Sequence, residues 1–66
     1  MKLGEKIKEL RTFEGLTQVK LAKIIDVDST MIGKWELGRK RPVYEDLIKL
    51  AKFFKVSTDY LLGLED

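Results

Sequence analysis

Residues 17–36 read TQVKLAKIIDVDSTMIGKWE, and this stretch of the 66-residue sequence decides the fold. It contains two helical patterns, and each starts after a residue that caps helices well, Thr17 for the first and Asp28 for the second. Only Asp26-Val27-Asp28 joins them. A link this short does not suit an antiparallel hairpin with Val27 buried. It suits two helices that cross at roughly 90–120°.

Three further helices are predicted outside this segment. Leu3, Ile7 and Leu10, followed by Phe13 or Glu14, recur at three- and four-residue steps and predict a helix over 3–13. The same reasoning predicts helices over 44–54 and 59–62, and it extends the second central helix to about Leu37. No segment alternates with the period of two that strands require. The expected fold class is therefore all-α, with five short helices in one compact domain over 1–66.

Composition excludes several classes of protein. The sequence has no Cys and no His, so disulfides, thiolate or imidazole metal sites and Ser-His or Cys-His catalysis are ruled out. No apolar run approaches the ~20 residues of a membrane span, and no signal peptide is apparent, so we expect a cytoplasmic protein.

The charge is unevenly distributed along the chain. Residues 17–41 carry six bases and three acids, whereas residues 42–66 carry three bases and five acids. This asymmetry indicates one face suited to a polyanion and another suited to a different partner.

Several short motifs, in order and at matching spacings, resemble one known family. They are Gly15-Leu16-Thr17-Gln18, Leu21-Ala22, Val27, Ile32, Lys34-Trp35-Glu36, Gly38, Arg41-Pro42 and the tail Val56 to Gly63. Together they resemble the XRE-type helix-turn-helix family of the lambda-repressor/Cro class over about residues 3–63. The resemblance implies a five-helix lambda-repressor-like domain that binds double-stranded DNA, usually as a homodimer on a near-palindromic operator. Asp26 departs from the family pattern, because Gly is frequent at this position of the turn.

The resemblance also assigns candidate site residues. The base-contacting positions of the third helix fall on Ser29, Thr30 and Lys34, whose side chains can pair with base edges in the major groove. Phosphate contacts are expected from the start of the second helix and from the basic loop after the third, namely from Thr17, Gln18, Arg39, Lys40 and Arg41. Arg11 and Glu36 match a family ion pair that joins the first helix to the third, so we expect them to be structural.

The sequence leaves two functions open. The first is a transcription regulator, expected to be a repressor, whose homodimer interface uses the last helices, with Val56, Tyr60, Leu61 and Leu64 as candidates. The second is an antitoxin-like or other protein-interaction module with secondary DNA binding, for which Val19, Ile24 and the leucine-rich tail would contact the partner. An enzyme is not expected, because no nucleophile–base set, paired carboxylates or phosphate loop occurs. Neither a cofactor, a metal nor a small-molecule ligand is expected.

Overall fold

The computed structural model describes residues 2–64, which form five α-helices connected by short links. Their bounds are α1 Lys2–Phe13, α2 Gln18–Ile25, α3 Ser29–Glu36, α4 Tyr44–Phe54 and α5 Thr58–Leu62. The described residues contain no strand. The predicted all-α architecture is therefore confirmed, and every helix boundary lies within one residue of its predicted position. None of the helices between residues 2 and 64 has the length and apolar content needed to cross a membrane.

One core holds the five helices together. Trp35, on the inner face of α3, is 1% exposed and lies in the core. Val27 and Val56, which lie in the links, are half-buried and pack against the core. The fully or nearly fully buried hydrophobic residues are Leu3, Ile7, Leu21, Ala22, Ile25, Ile32, Trp35, Leu50, Ala51 and Leu61.

The N-terminal turn of α1 packs directly on the C-terminal turn of α3. Gly4 is buried at this contact, and a methyl group on it would collide with the carbonyl oxygen of Trp35 and lie 2.7 Å from that of Glu36. Only glycine lets the two backbones approach so closely. This contact fixes the end of α3 against α1.

The corner between α2 and α3 depends on a left-handed residue. Asp26 adopts φ 58° and ψ 57°, as expected for an Asp that stands where the family often has Gly. The N–H of Val27 then donates to the carbonyl of Ala22 at 2.9 Å, which closes the end of α2. Asp28 caps α3 one residue later, so three residues suffice to redirect the chain.

Two expectations about individual side chains are wrong. Phe13 is 84% exposed and does not extend the apolar stripe of α1, because at 100° per residue it lies about 80° away from the centre of that stripe. Leu61, expected on a dimer surface, is fully buried. It belongs to α5, which packs against both α1 and α4, so its side chain fills the core and has no surface to offer a partner.

Candidate nucleic-acid interface

The first turn of α2 presents polar groups to solvent. Thr17 caps this helix, and its Oγ1 accepts a hydrogen bond from the N–H of Lys20 at 3.1 Å. The other N–H groups of a first helical turn have no partner within the helix, and the helix dipole makes this end positive. Thr17 and Gln18 are both exposed here. The start of α2 is therefore suited to an anion such as a phosphate.

Arg11 and Glu36 form the expected ion pair between α1 and α3. Arg11 Nε lies 2.6 Å from Glu36 Oε2, and Nη2 donates to Oε1 at 3.0 Å. The remaining guanidinium group, Nη1, donates to the carbonyl of Leu16 at 2.8 Å. The two side chains are only 11% and 5% exposed. A bidentate pair this shielded from water fixes the relative position of the two helices.

The same carboxylate also holds Gln18. Gln18 Nε2 donates to Glu36 Oε1 at 3.1 Å, so the amide bridges from the start of α2 to the end of α3. The amide lies over Gly33, where an added methyl group would stand 3.6 Å from its Oε1 and 3.7 Å from its Nε2. Arg11, Glu36 and Gln18 therefore form one chain of hydrogen bonds along the edge of this surface.

The N-terminus of α3 is capped by a carboxylate. Asp28 Oδ1 accepts from the N–H of Thr30 at 2.9 Å and from the Thr30 hydroxyl at 2.8 Å. The bond from the backbone N–H, then that from the hydroxyl and finally the charge of Lys34 lower the pKa of Asp28 below its ordinary 3.8. The cap is therefore ionised at neutral pH.

The candidate base-contacting residues lie along one side of α3, though they differ in exposure. Thr30 and Lys34 are exposed, whereas Ser29 is half-buried. Because the Thr30 hydroxyl donates its proton to Asp28, the group it presents outward is an acceptor. The Lys34 ammonium group supplies donors on the same side.

The basic loop follows α3 directly. The N–H of Arg39 donates to the carbonyl of Lys34 at 2.9 Å, and the Arg39, Lys40 and Arg41 side chains are all exposed. Arg41 lines a cleft of about 190 Å³ together with Lys2, Leu3 and Leu62. The loop therefore begins beside the end of α3 and continues toward α1 and α5.

The structure adds two residues that sequence reasoning left out of the site. Lys8 and Leu37 line a cleft of about 320 Å³ together with Arg11, Gln18, Gly33 and Glu36. Lys8 is exposed and stands three residues before Arg11 on α1, so helical spacing alone could have indicated it. Leu37 is 71% exposed at the end of α3.

The candidate dimer residues are scattered. Val56 is half-buried against the core, and Tyr60 is half-buried with Lys6 Nζ 4.4 Å from the centre of its ring. Leu64 is 72% exposed, and Leu62 and Tyr44 are 42% and 75% exposed. With Leu61 in the core, Leu64 is the one exposed apolar residue among the four candidates, and Leu62 and Tyr44 add exposed apolar surface that the candidate set did not include. No cluster of acidic side chains that could hold a metal ion occurs among residues 2–64.

Comparison with known proteins agrees with this geometry. A family model described as a helix-turn-helix domain matches residues 4–66. Over its whole length, the chain is 44% identical to the HTH-type transcriptional activator BcrR of Enterococcus faecalis and covers 32% of that protein. It is 35% identical to the HTH-type transcriptional regulator ImmR of Bacillus subtilis strain 168 and covers 52% of it. The chain thus spans about a third to about half of the length of these relatives.

The fold also matches a solved structure. The crystal structure of the P22 c2 repressor protein in complex with synthetic operator 9T superimposes with a TM-score of 0.91. The two chains are 32% identical, and the match covers 98% of each. This similarity confirms the expected lambda-repressor-like arrangement of the five helices.

Proposed function

The chain belongs to the XRE-type helix-turn-helix family of DNA-binding transcription regulators, which are not enzymes, and from this premise we propose that it binds double-stranded DNA as a homodimer. Its site would be a near-palindromic operator, and its effect at that site would be repression of transcription in the cytoplasm. The single observation that carries the proposal is the set of exposed polar and basic residues at the start of α2, on the outer side of α3 and in the basic loop. This set combines donors, an acceptor and four exposed cations, Lys34, Arg39, Lys40 and Arg41.

In this proposal α3 enters the major groove and α2 lies across the phosphate backbone. Lys34 donates to guanine O6 or N7, and Ser29 contacts a neighbouring base edge. Thr30 acts as an acceptor, because its hydroxyl proton is directed to Asp28. It therefore favours the exocyclic amino groups of cytosine or adenine at its position. Thr17 and Gln18 bind one phosphate at the start of α2.

The cations of the loop supply affinity without sequence preference. Arg39, Lys40 and Arg41 are proposed to neutralise phosphates next to the groove that α3 occupies, and Lys8 adds a fourth candidate. Each neutralised phosphate changes the slope of log affinity against log salt by about 0.9 on duplex DNA. Alanine at any one of these cations should therefore weaken binding to all sequences and reduce the salt slope by up to that amount.

The proposed dimer interface lies around α5 and the start of α4. Val56, Tyr60 and Leu64 remain candidates, and the exposed Val43, Tyr44 and Leu62 extend the surface. The cleft of about 190 Å³ beside Leu62 can accept an apolar side chain of a second copy. A two-fold axis through this region would make the surface self-complementary.

Selection of bound duplexes from a random-sequence library tests the proposal. The expected result is an enriched near-palindrome whose half-sites are centred about one helical turn apart, 10–10.5 base pairs. Retention of no duplex with a Kd below about 1 μM at moderate salt would contradict DNA binding. Enrichment of single, unpaired half-sites would contradict the homodimer and leave DNA binding intact.

A second candidate function is a protein-interaction module. It is favoured by a cleft of about 430 Å³ between α2 and α4, where half-exposed Ile24 and half-buried Phe53 stand beside Lys49 and Lys52. An acidic segment with apolar side chains would complement this cleft. Ile24→Asp distinguishes the two functions. It should abolish capture of such a partner and leave DNA affinity within about twofold, because Ile24 lines the cleft toward α4 and is not among the DNA-contacting residues proposed above.

A further inference from the structure

Glu36 does more in this structure than pair with Arg11. Its Oε1 is shared between Arg11 Nη2, at 3.0 Å, and Gln18 Nε2, at 3.1 Å. Arg11 neutralises the carboxylate, so a negative group can stand beside a bound phosphate without repelling it strongly. The pair is thus compatible with a place on the DNA-facing surface.

The hydrogen bond determines which way the Gln18 amide faces. Glutamine presents a carbonyl at one end of its amide and two N–H donors at the other, and only the donors can bind a phosphate. Because an ionised carboxylate accepts only, Glu36 selects the orientation in which Nε2 faces it. One proton of Nε2 is then used by Glu36, and the other remains available at the start of α2.

The Gln18 amide also packs over α3 at Gly33. A methyl group added at Gly33 would stand 3.6 Å from the amide Oε1 and 3.7 Å from its Nε2, an ordinary van der Waals contact, so the amide lies against the backbone of α3 there. The exposed Gln18 side chain would otherwise sample several rotamers, and fixing them on binding would cost entropy.

We propose that Glu36 is a positioning residue for DNA binding: supported by Arg11, it holds the Gln18 amide with a free proton directed to a backbone phosphate. This inference rests on the proposed DNA-binding function. It assigns Glu36 a role in binding that is separate from its role in joining α1 to α3.

A double-mutant cycle between Gln18 and Glu36 tests the proposal. The probe is a duplex selected by the wild-type protein from random sequence, and Kd is measured at fixed salt. Gln18→Ala should weaken binding by about tenfold, the scale of one hydrogen bond to a charged group. Glu36→Gln should weaken binding by a similar factor. Residue 36 then offers N–H donors, so the Gln18 amide rotates by 180° and no longer holds its own donors in place for the phosphate. The double variant should be no weaker than Glu36→Gln alone.

Arg11→Lys is the matched control for loosening of the fold. It weakens the same ion pair but keeps the carboxylate that accepts from Gln18. The double variant of Arg11→Lys and Gln18→Ala should therefore change Kd by the product of the factors measured for the two single variants. If the effects of Glu36→Gln and Gln18→Ala also multiply, Glu36 does not act through Gln18 and the inference is overturned.

The sensitivity of binding to the charge of a single phosphate is a measurement that a purely structural role of Glu36 would not change. One phosphate of the selected duplex at a time is replaced by an uncharged methylphosphonate. At one position the wild-type and Arg11→Lys proteins should lose affinity, whereas Gln18→Ala and Glu36→Gln should not. If Glu36→Gln retains the wild-type sensitivity there, the inference fails, although the wild-type protein still binds DNA. If the wild-type protein selects no duplex at all, the proposed function itself fails, and the inference with it.

Gln18→Asn provides a second route that does not disturb the ion pair. It keeps an amide at the start of α2 but is one methylene too short to reach Glu36. Gln18 is exposed, so the variant should fold normally. We expect it to bind like Gln18→Ala, and binding like the wild type would show that the contact with Glu36 is unnecessary.

Discussion

The chain makes the same corner twice, once between α2 and α3 and once between α4 and α5. In each, a residue with φ 58° ends the first helix, Asp26 in one and Lys55 in the other. A valine follows the left-handed residue in each corner, and its N–H donates to the carbonyl oxygen of a buried alanine. The distance is 2.9 Å from Val27 to Ala22 and 3.0 Å from Val56 to Ala51. A side-chain oxygen then caps the next helix. The preceding residues also match, Leu21-Ala22-Lys23 against Leu50-Ala51-Lys52.

The two corners lead into different helices. After the first, α3 continues for eight residues and carries exposed Thr30 and Lys34. After the second, α5 is only five residues long and has an acid, Asp59, in its first turn. The same local geometry therefore presents a long polar helix at one site and closes the core at the other. The corner sets the direction of the second helix, whereas length and charge determine whether that helix suits a DNA groove.

The comparison predicts that Leu61 and Ile32 contribute equally to the core. The largest expected effect, a loss of stability when either side chain is truncated, tests this prediction. Each lies four residues after its helix-capping residue, and each is fully buried. Leu61→Ala should lower the free energy of unfolding by about 4 kcal/mol, as Ile32→Ala should, because each leaves a cavity in the core. Urea denaturation followed by circular dichroism measures both.

Leu62→Ala is the control for that experiment. Leu62 is 42% exposed, so its truncation should cost less than about 1 kcal/mol. If the Leu61→Ala variant denatures like the wild type and only loses dimerisation, then Leu61 acts in the dimer interface and not in the core.

The second prediction concerns the contacts that join each corner to α1. Arg11 pairs with Glu36 at the end of α3, whereas Lys6 stands over the ring of Tyr60 in α5. Arg11→Ala should cost about 3 kcal/mol of stability, because it leaves a shielded carboxylate without its partner. Lys6→Ala should cost about 0.5 kcal/mol, the scale of an exposed cation–π contact. Equal losses in thermal or chemical denaturation would mean that the two corners are held with similar strength.

The helices that flank both corners were predictable from sequence, whereas the burial of Leu61 after the second corner was not. Thr17, Asp28 and the short link predict α2 and α3, because caps and helical periodicity are local signals. Leu61 was placed outside, because five residues are too few to define an apolar face. Alignment of its segment with that of Ile32 would have placed it inside. Gly4 and the contact from Gln18 to Glu36 depend on how distant segments approach, and no local pattern encodes this.

A smaller effect distinguishes the left-handed residues of the two corners. Lys55 has a long side chain and no special tolerance of φ 58°, whereas Asp tolerates this region better than most residues. Lys55→Gly should therefore raise the free energy of unfolding by about 1 kcal/mol, and Asp26→Gly by less, about 0.5 kcal/mol. Denaturation of both variants at neutral pH measures the difference. A larger gain at Asp26 would show that its turn is the more strained.

The smallest effect is a pH dependence that only the first corner should have. Its cap, Asp28, titrates, whereas the cap of α5 is Ser57, a hydroxyl. The pKa of Asp28 is lowered in the folded state, first by the Thr30 N–H and then by the Thr30 hydroxyl and Lys34. Its charged form therefore stabilises the fold fully above the ordinary value of 3.8, and this contribution is lost as pH falls through the lower folded pKa.

Asp28→Ser gives α3 the kind of cap that α5 has, and so isolates this contribution. The difference in free energy of unfolding between wild type and variant should be constant above about pH 5 and should move against the wild type below about pH 4. Both caps are exposed, so the change is small, and it is resolved only as a difference between two denaturation series measured over the same pH range. A difference that stays constant through the acid range would mean that the pKa of Asp28 is not lowered on folding and that its protonated form caps α3 as well as the carboxylate does. The two corners would then be equivalent in their caps as well as in their backbone.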